Sequence, residues 1–200
     1  MSSESNRLTL DTYEAHVQEY VDGTTHEMSD AVKDWVDESL RRIRKNGSIL
    51  ELGSAFGRDA DYIESKGFHI DRTDATKAFV ELLRGKNQRA EVLDAIHDDF
   101  FGKHDAVFAN AVLLHFTLEE AQKVISKVYD HLSDDGVFIF SLKQGDGESW
   151  SSEKVGAPRY FRLWRPQEVQ TTLSSIGFRD ISISPTDEPA AKWLHVIAQK

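Results

Sequence analysis

The chain has 200 residues, 40% hydrophobic and 29% charged, a balance that supports a single α/β core and excludes a disordered chain. Its formal net charge of −10 disfavours nucleic acid as the main partner, because an acidic surface repels polyphosphate. Cysteine is absent, which removes disulfides, thiolate metal sites and a thiol nucleophile; no apolar run approaches the roughly 18–20 residues that cross a bilayer, and MSSESNRLTL is no secretory leader, so a cytoplasmic protein without membrane contact is expected.

Residues 1–8 are expected to be loose. Leu10, Tyr13, Val17, Tyr20 and Val21 recur at helical spacing and predict one helix over 9–21. A second helix follows Ser29, with Val32, Trp35, Val36, Leu40 and Ile43 as its stripe, and stops at Asn46-Gly47. The basic cluster Arg41, Arg42, Arg44 and Lys45 at its end is read as complementing the helix dipole, not as a phosphate site.

Alternation then takes over. Strands are predicted at 48–52, 68–70, 91–93 (weakly), 105–109 and 137–142, with helices after Gly57, over 75–84 and from Thr117. Thr117 and Glu120 form a capping box for a helix carrying Ala121, Val124, Ile125, Val128 and Leu132. Residues 144–159 read as a polar loop, Pro166 opens a helix ending at Gly177, and two strands close the chain near 178–184 and 192–198. Such an order demands right-handed crossovers and a mostly parallel sheet with helices on both faces; the short last connection makes the final pair an antiparallel hairpin. Residues 1–46 are expected to form a helical cap or lid on an α/β core over 47–200, within one domain.

In open α/β sheets ligands bind beyond the carboxyl ends of the strands. There the sequence places Glu51-Leu52-Gly53-Ser54-Ala55-Phe56-Gly57, where glycines let backbone approach a ligand closely. Asp74 lies past the second strand, where a carboxylate can accept both ribose hydroxyls, and Asp94 closes the third. A glycine turn alone is often only a tight connection, and Asp74 alone only an acid at a helix start; their placement on neighbouring strand tips is what points to a ligand.

From Tyr13 to its end the sequence resembles the class I S-adenosylmethionine-dependent methyltransferases. Residues 49–59, ILELGSAFGRD, resemble the family's acidic-x-Gly-x-Gly-x-Gly motif, with Ala55 at the middle glycine; an alanine there is expected to allow the turn with negative φ. Asp74, followed by Ala75, matches the ribose-binding acid, and Leu93-Asp94-Ala95 the position at the adenine edge. Residues 105–115 resemble the fourth strand and its turn, where Asn110 and Ala111 would face the methionine part of the cofactor. The resemblance implies a Rossmann-like seven-stranded sheet of order 3-2-1-4-5-7-6. It implies S-adenosylmethionine as cofactor, S-adenosylhomocysteine as product and no metal.

The acceptor site is expected among the parts around this core. His115 either serves as a general base or packs beneath the cofactor; His69, His104 and His195 read as structural. The helix with Tyr13 and Tyr20 would either close over the cofactor as a lid or pack on the sheet as an ordinary amphipathic helix, with Trp150, Arg159 and Tyr160 as further acceptor-binding candidates. The favoured reading is a methyltransferase for a small molecule, as monomer or homodimer. A protein or tRNA methyltransferase, a non-catalytic cofactor-binding regulator and a nicotinamide dehydrogenase are the alternatives.

Overall fold

The computed structural model describes residues 3–188 and 191–200. Its helices are α1 (Glu4–Ala15), α2 (Val17–Asp22), α3 (Asp30–Leu40), α4 (Arg58–Ser65), α5 (Lys77–Gly85), α6 (Leu118–His131) and α7 (Pro166–Ile176). Its strands are β1 (Ser48–Leu52), β2 (His69–Asp74), β3 (Ala90–Val92), β4 (His104–Ala109), β5 (Leu132–Lys143), β6 (Glu148–Ser151), β7 (Arg159–Arg162), β8 (Arg179–Glu188) and β9 (Ala191–Gln199).

Seven strands make one sheet in the order β3-β2-β1-β4-β5-β9-β8, while β6 and β7 pair separately. With that outlying pair set aside, this is the order 3-2-1-4-5-7-6. The strands from β3 to β5 are parallel, and β9 runs antiparallel to β5 and β8. Strand alternation divides the core between the two faces. Ile49, Ala106, Phe108, Val137 and Ile139 face α3 and α4, packing with Trp35, Val36 and Ile63. Leu50, Val107, Ala109, Phe138 and Phe140 face α6 and α7, packing with Val124, Val128 and Leu173. Among the described residues no helix is long and apolar enough to cross a membrane.

Four expectations need correction. Of the eight residues read as loose, 1 and 2 lie outside the described residues, but Ser3 caps α1 by accepting from Asn6 N, and α1 starts at Glu4. The helix expected over 9–21 breaks at His16, where φ −129 and ψ 37 leave helical geometry. The polar loop over 144–159 contains β6, paired with β7 from Ser151↔Arg159 to Glu148↔Arg162. The helical cap is also shorter than 1–46, because α3 belongs to the core through Trp35, Val36 and Leu40. The basic cluster at the end of α3 is partly consumed by carboxylates: Arg41 and Arg42 meet Glu38, and Arg44 meets Asp105 at 2.7 Å.

Candidate active site

The carboxyl ends of β1, β2, β3 and β4 open into one cleft of about 730 Å³ including its mouth. Two positions in the turn after β1 require glycine. At Gly53 φ is +73 and a Cβ would lie 2.5 Å from Val112 Cγ2; at Gly57, which starts α4, φ is +92 and a Cβ would lie 2.8 Å from Leu83 Cδ2. Ala55 does not keep negative φ as expected: it sits at +46. That left-handed conformation aims its N–H at Asp74 Oδ2, 2.9 Å away, a charge-assisted bond that offsets about 1–2 kcal/mol of strain.

Glu51 is buried beneath this turn and accepts a very short hydrogen bond from Ser54 Oγ. Burial pushes its carboxyl up to about 8, despite the Ser54 donor, so it is protonated near neutrality. Neither Glu51 nor Gly57 lines the cleft; Ser54 and Phe56 line a small hollow beside it, shared with Gly53, Ala55 and Asn110.

Asp74 ends β2 with its second oxygen accepting from Thr76 N at 2.8 Å. Burial raises its carboxyl to about 6, and the two backbone donors only partly oppose this. Each oxygen holds one backbone donor, leaving acceptor capacity toward the cleft. Ala75, Asp94 and Ala95 continue the same wall. Asp94 accepts from Ile96 N at 2.9 Å and contacts His97 Nδ1 at 2.8 Å.

Beyond β4, Asn110 and Ala111 form the opposite wall. Asn110 donates to Asp59 at 2.6 Å and accepts from Ser141 Oγ at 2.6 Å, while Ser141 Oγ also accepts from Ala111 N at 2.9 Å. Ser141 escaped the sequence reading. Its signal was one hydroxyl in the apolar run Phe140-Ser141-Leu142, fully buried in β5.

The roof comes from α1 and α2. Tyr13 and Tyr20 meet edge to face with centroids 5.4 Å apart, and Tyr20 meets Phe79 at the same separation. Thr9 Oγ1 accepts from Tyr160 N at 3.0 Å, and Thr12 Oγ1 donates to Pro158 O at 2.8 Å, tying α1 to the segment entering β7.

A polar chain fixes the protons at the centre. His115 Nδ1 lies 2.7 Å from the Tyr160 carbonyl, which can only accept, so Nδ1 carries the hydrogen. Its bare Nε2 therefore accepts from Tyr13 Oη at 2.9 Å, and Tyr13 Oη in turn accepts from Arg159 Nη1 at 3.3 Å. Burial, with Arg159 and Lys143 nearby, depresses His115 to about 3, so the ring is neutral. Both its nitrogens are engaged.

A second pocket of about 990 Å³ shares Tyr13, Tyr20, Ala111 and His115 with the cleft and adds Lys143, Lys154, Arg159 and Phe161. Arg159 thus lines this second space. Trp150 and Tyr160 do not line either space: they pair with each other at 5.7 Å on the opposite face of the β6–β7 hairpin, and Tyr160 contributes only its carbonyl. Alternation along β7 explains this, because Arg159 and Phe161 share one face and Tyr160 the other. Lys143 and Lys154 were not singled out from sequence; Lys143 ends β5 at the ligand-binding edge, a position that marks it. Among the described residues no acidic or histidine cluster could hold a metal.

Residues 50–138 match the model of a methyltransferase domain family. The phosphoethanolamine N-methyltransferase of Plasmodium falciparum is 24% identical over 149 residues, 70% of this chain and 56% of that protein. A carboxy-S-adenosyl-L-methionine synthase of Nautilia profundicola is 26% identical over 103 residues, 48% of this chain and 44% of that protein. The chain thus spans about half the length of these curated relatives. Among solved structures, it superposes on the 1,6-didemethyltoxoflavin-N1-methyltransferase of Burkholderia thailandensis with TM-score 0.75 and 18% identity, covering 100% of this chain and 91% of that one; that structure holds its acceptor and S-adenosylhomocysteine. The magnesium protoporphyrin IX methyltransferase of Synechocystis PCC 6803, solved with S-adenosylmethionine, gives TM-score 0.76 at 13% identity, covering 100% and 98%.

Strand order, terminal hairpin and glycine turn together define a Rossmann-like methyltransferase fold. Within it, residues 50–138 match the methyltransferase domain family, and the fold of the whole chain is that of solved S-adenosylmethionine-dependent methyltransferases.

Proposed function

We propose that the chain methylates a small molecule with S-adenosylmethionine as donor. The observation that carries this reading is the adjacency of two spaces, a nucleoside-type cleft at the strand tips and a second pocket that shares Tyr13, Tyr20, Ala111 and His115 with it as lining.

The donor set of the cleft fits this cofactor. Asp74 has acceptor capacity for two ribose hydroxyls, and its raised affinity for a proton is what a carboxylate lacking such donors displays. Gly53 leaves no room for a Cβ, so backbone alone forms that wall. Asp94 and Ala95 would flank the base, and Asn110 and Ala111 the amino-acid end.

When bound, S-adenosylmethionine supplies a methyl group already activated on a sulfonium. The chain's own residues then have to align an acceptor and exclude water; alignment of this kind contributes on the order of 7–11 kcal/mol. Tyr13 and Tyr20 close the top of the cleft, and the Tyr160–His115–Tyr13–Arg159 chain holds the Tyr13 hydroxyl in place. His115, neutral with its acceptor nitrogen occupied, is a positioning residue and not a general base. The departure at Ala55 leaves the loop intact, since its N–H still reaches Asp74.

Calorimetry with S-adenosylhomocysteine, followed by methyl-labelled cofactor and a fractionated metabolite extract, tests the reading. Binding and label transfer into a small-molecule fraction are expected. Folded protein that takes up no S-adenosylhomocysteine refutes it; label entering only protein or RNA refutes the small-molecule acceptor.

A further inference from the structure

The second pocket contains three cations in a chain with 34 acidic and 24 basic residues. Arg159 is 5% exposed, yet among the described residues it forms no ion pair, and its Nε is buried without a hydrogen-bond partner. Among the described residues its donor bond goes to a neutral hydroxyl, Tyr13 Oη. Another buried arginine shows what this chain does elsewhere: Arg72, 6% exposed, is gripped by Asp61 and Glu64 at 2.8 Å each.

Lys143 and Lys154 share the pocket and also lack ion pairs among the described residues. Their ammonium groups sit over rings, Lys143 Nζ 4.1 Å from the Phe161 centroid and Lys154 Nζ 4.3 Å from that of Tyr20. Arg159 lies over Phe161 at 5.2 Å. Among the described residues the one carboxylate lining this space is Glu153, and it pairs with none of the three. Ring faces attract cations weakly compared with the desolvation a buried charge suffers, and like charges held together oppose one another. Burial first, then Arg159, Arg58 and Lys143, lower Lys154 to about 8, and burial and Arg159 lower Lys143. A fixed, desolvated, unneutralised cation cluster is complementary to an anion.

We propose that the methyl acceptor carries a carboxylate or phosphate, and that Arg159, Lys143 and Lys154 bind that group while Tyr13 separates it from the cofactor cleft. This rests on the methyltransferase reading and names the chemistry of its substrate. The cofactor's own carboxylate is a competing anion. Arg58, not Arg159, lines the hollow beside Gly53 and Ala55 and would be the cation to meet it, with its own carboxylate partner Asp59 at 2.7 Å.

The test titrates phenyl phosphate, benzoate and neutral benzyl alcohol into the full chain saturated with S-adenosylhomocysteine, read by calorimetry and by thermal shift. At least one anion is expected to bind tenfold or more tightly than benzyl alcohol, and which one prevails separates phosphate from carboxylate. Arg159→Met and Lys154→Met should each weaken that anion at least fivefold, and Lys154→Met, which leaves the Arg159–Tyr13 bond in place, should change S-adenosylhomocysteine affinity less than twofold. Arg159→Met should melt no lower than the parent chain, because it removes an unpaired buried charge. Lys154→Met, at a half-buried position, serves if Arg159→Met does not fold. Equal binding of all three probes overturns the proposal, as does a loss of S-adenosylhomocysteine affinity in both variants, which would hand the cations to the cofactor. A chain that never binds S-adenosylhomocysteine fails the functional reading instead.

Discussion

Acidification should weaken cofactor binding through one identifiable carboxyl. Asp74 has its pKa raised from 3.8 to about 6 because its burial outweighs the hydrogen bonds from the Thr76 and Ala55 backbone and the Thr76 side chain. Hydroxyl donors from a bound ribose favour the ionised form, so binding must expel the proton wherever Asp74 is protonated. The sign follows directly: affinity rises as pH climbs through about 6 and levels off above it. At about pH 5 only roughly one molecule in ten has Asp74 ionised, so the dissociation constant for S-adenosylhomocysteine should be roughly tenfold larger than at pH 7. Glu51, held at about 8, keeps its proton across this window and contributes no slope. Isothermal titration in buffers of different ionisation enthalpy counts the protons released, with nearly one expected at the acidic end. Asp74→Asn should flatten the curve and cost about 2–3 kcal/mol at neutral pH, since its amide turns a donor toward one of the two backbone N–H groups. Any slope surviving in that variant belongs to other groups. A flat profile in the parent chain would refute the assignment of Asp74 to the cofactor.

Ala55→Gly should raise stability by about 1 kcal/mol in chemical unfolding without weakening the cofactor, because glycine accepts φ +46 freely. Gly53→Ala should abolish S-adenosylhomocysteine binding in calorimetry, and Val112→Ala on top of it should restore part, since Val112 Cγ2 occupies the space the new methyl needs. His115→Ala should lower stability by about 1–3 kcal/mol by stranding the Tyr160 carbonyl and disturbing Tyr13, and no kinetic inflection near the ordinary histidine pKa should vanish with it. With a folded pKa depressed to about 3, His115 favours the folded state fully above its ordinary 6.5, and that contribution is lost progressively as pH falls below it, which a series of acid melts would show. Glu120→Ala should cost about 1–2 kcal/mol and make the first helix more susceptible to protease, because this carboxylate both closes the α6 capping box and accepts from Ser3 N at 2.7 Å.

The parts legible in sequence were those written in apolar periodicity and special backbone. Alternating Ile49-Leu50 and Val137 to Phe140 gave the strands, Thr117 and Glu120 the start of α6, and Gly53, Gly57 and Asp74 the strand-tip turn. The start of α1 was invisible because its buried residues are polar: Asn6, Thr9 and Thr12 face inward, with Thr9 and Thr12 bonded to the backbone around β7, a partner 146 or more positions away. The hairpin escaped for a related reason. Glu148-Ser149-Trp150-Ser151 carries no apolar alternation, and its pairing with Arg159-Tyr160-Phe161-Arg162 exists only once the chain has turned back. Of the three cations only Arg159 was marked, by its place after the polar loop; Lys143 and Lys154 were not, since nothing in a sequence distinguishes a lysine that pairs with a carboxylate from one that does not.

The two hydrogen bonds from Thr9 and Thr12 to the strand opposite carry a kinetic corollary. Asn6, Thr9, Leu10 and Tyr13 line the cleft from α1, so lifting that helix would widen the way in. Undocking it breaks those bonds to β7, the strand that presents Arg159 and Phe161. A donor entering past a lifted α1 would leave the second compartment intact only once that helix is down again. Turnover should then follow a compulsory sequence, donor first and by-product last.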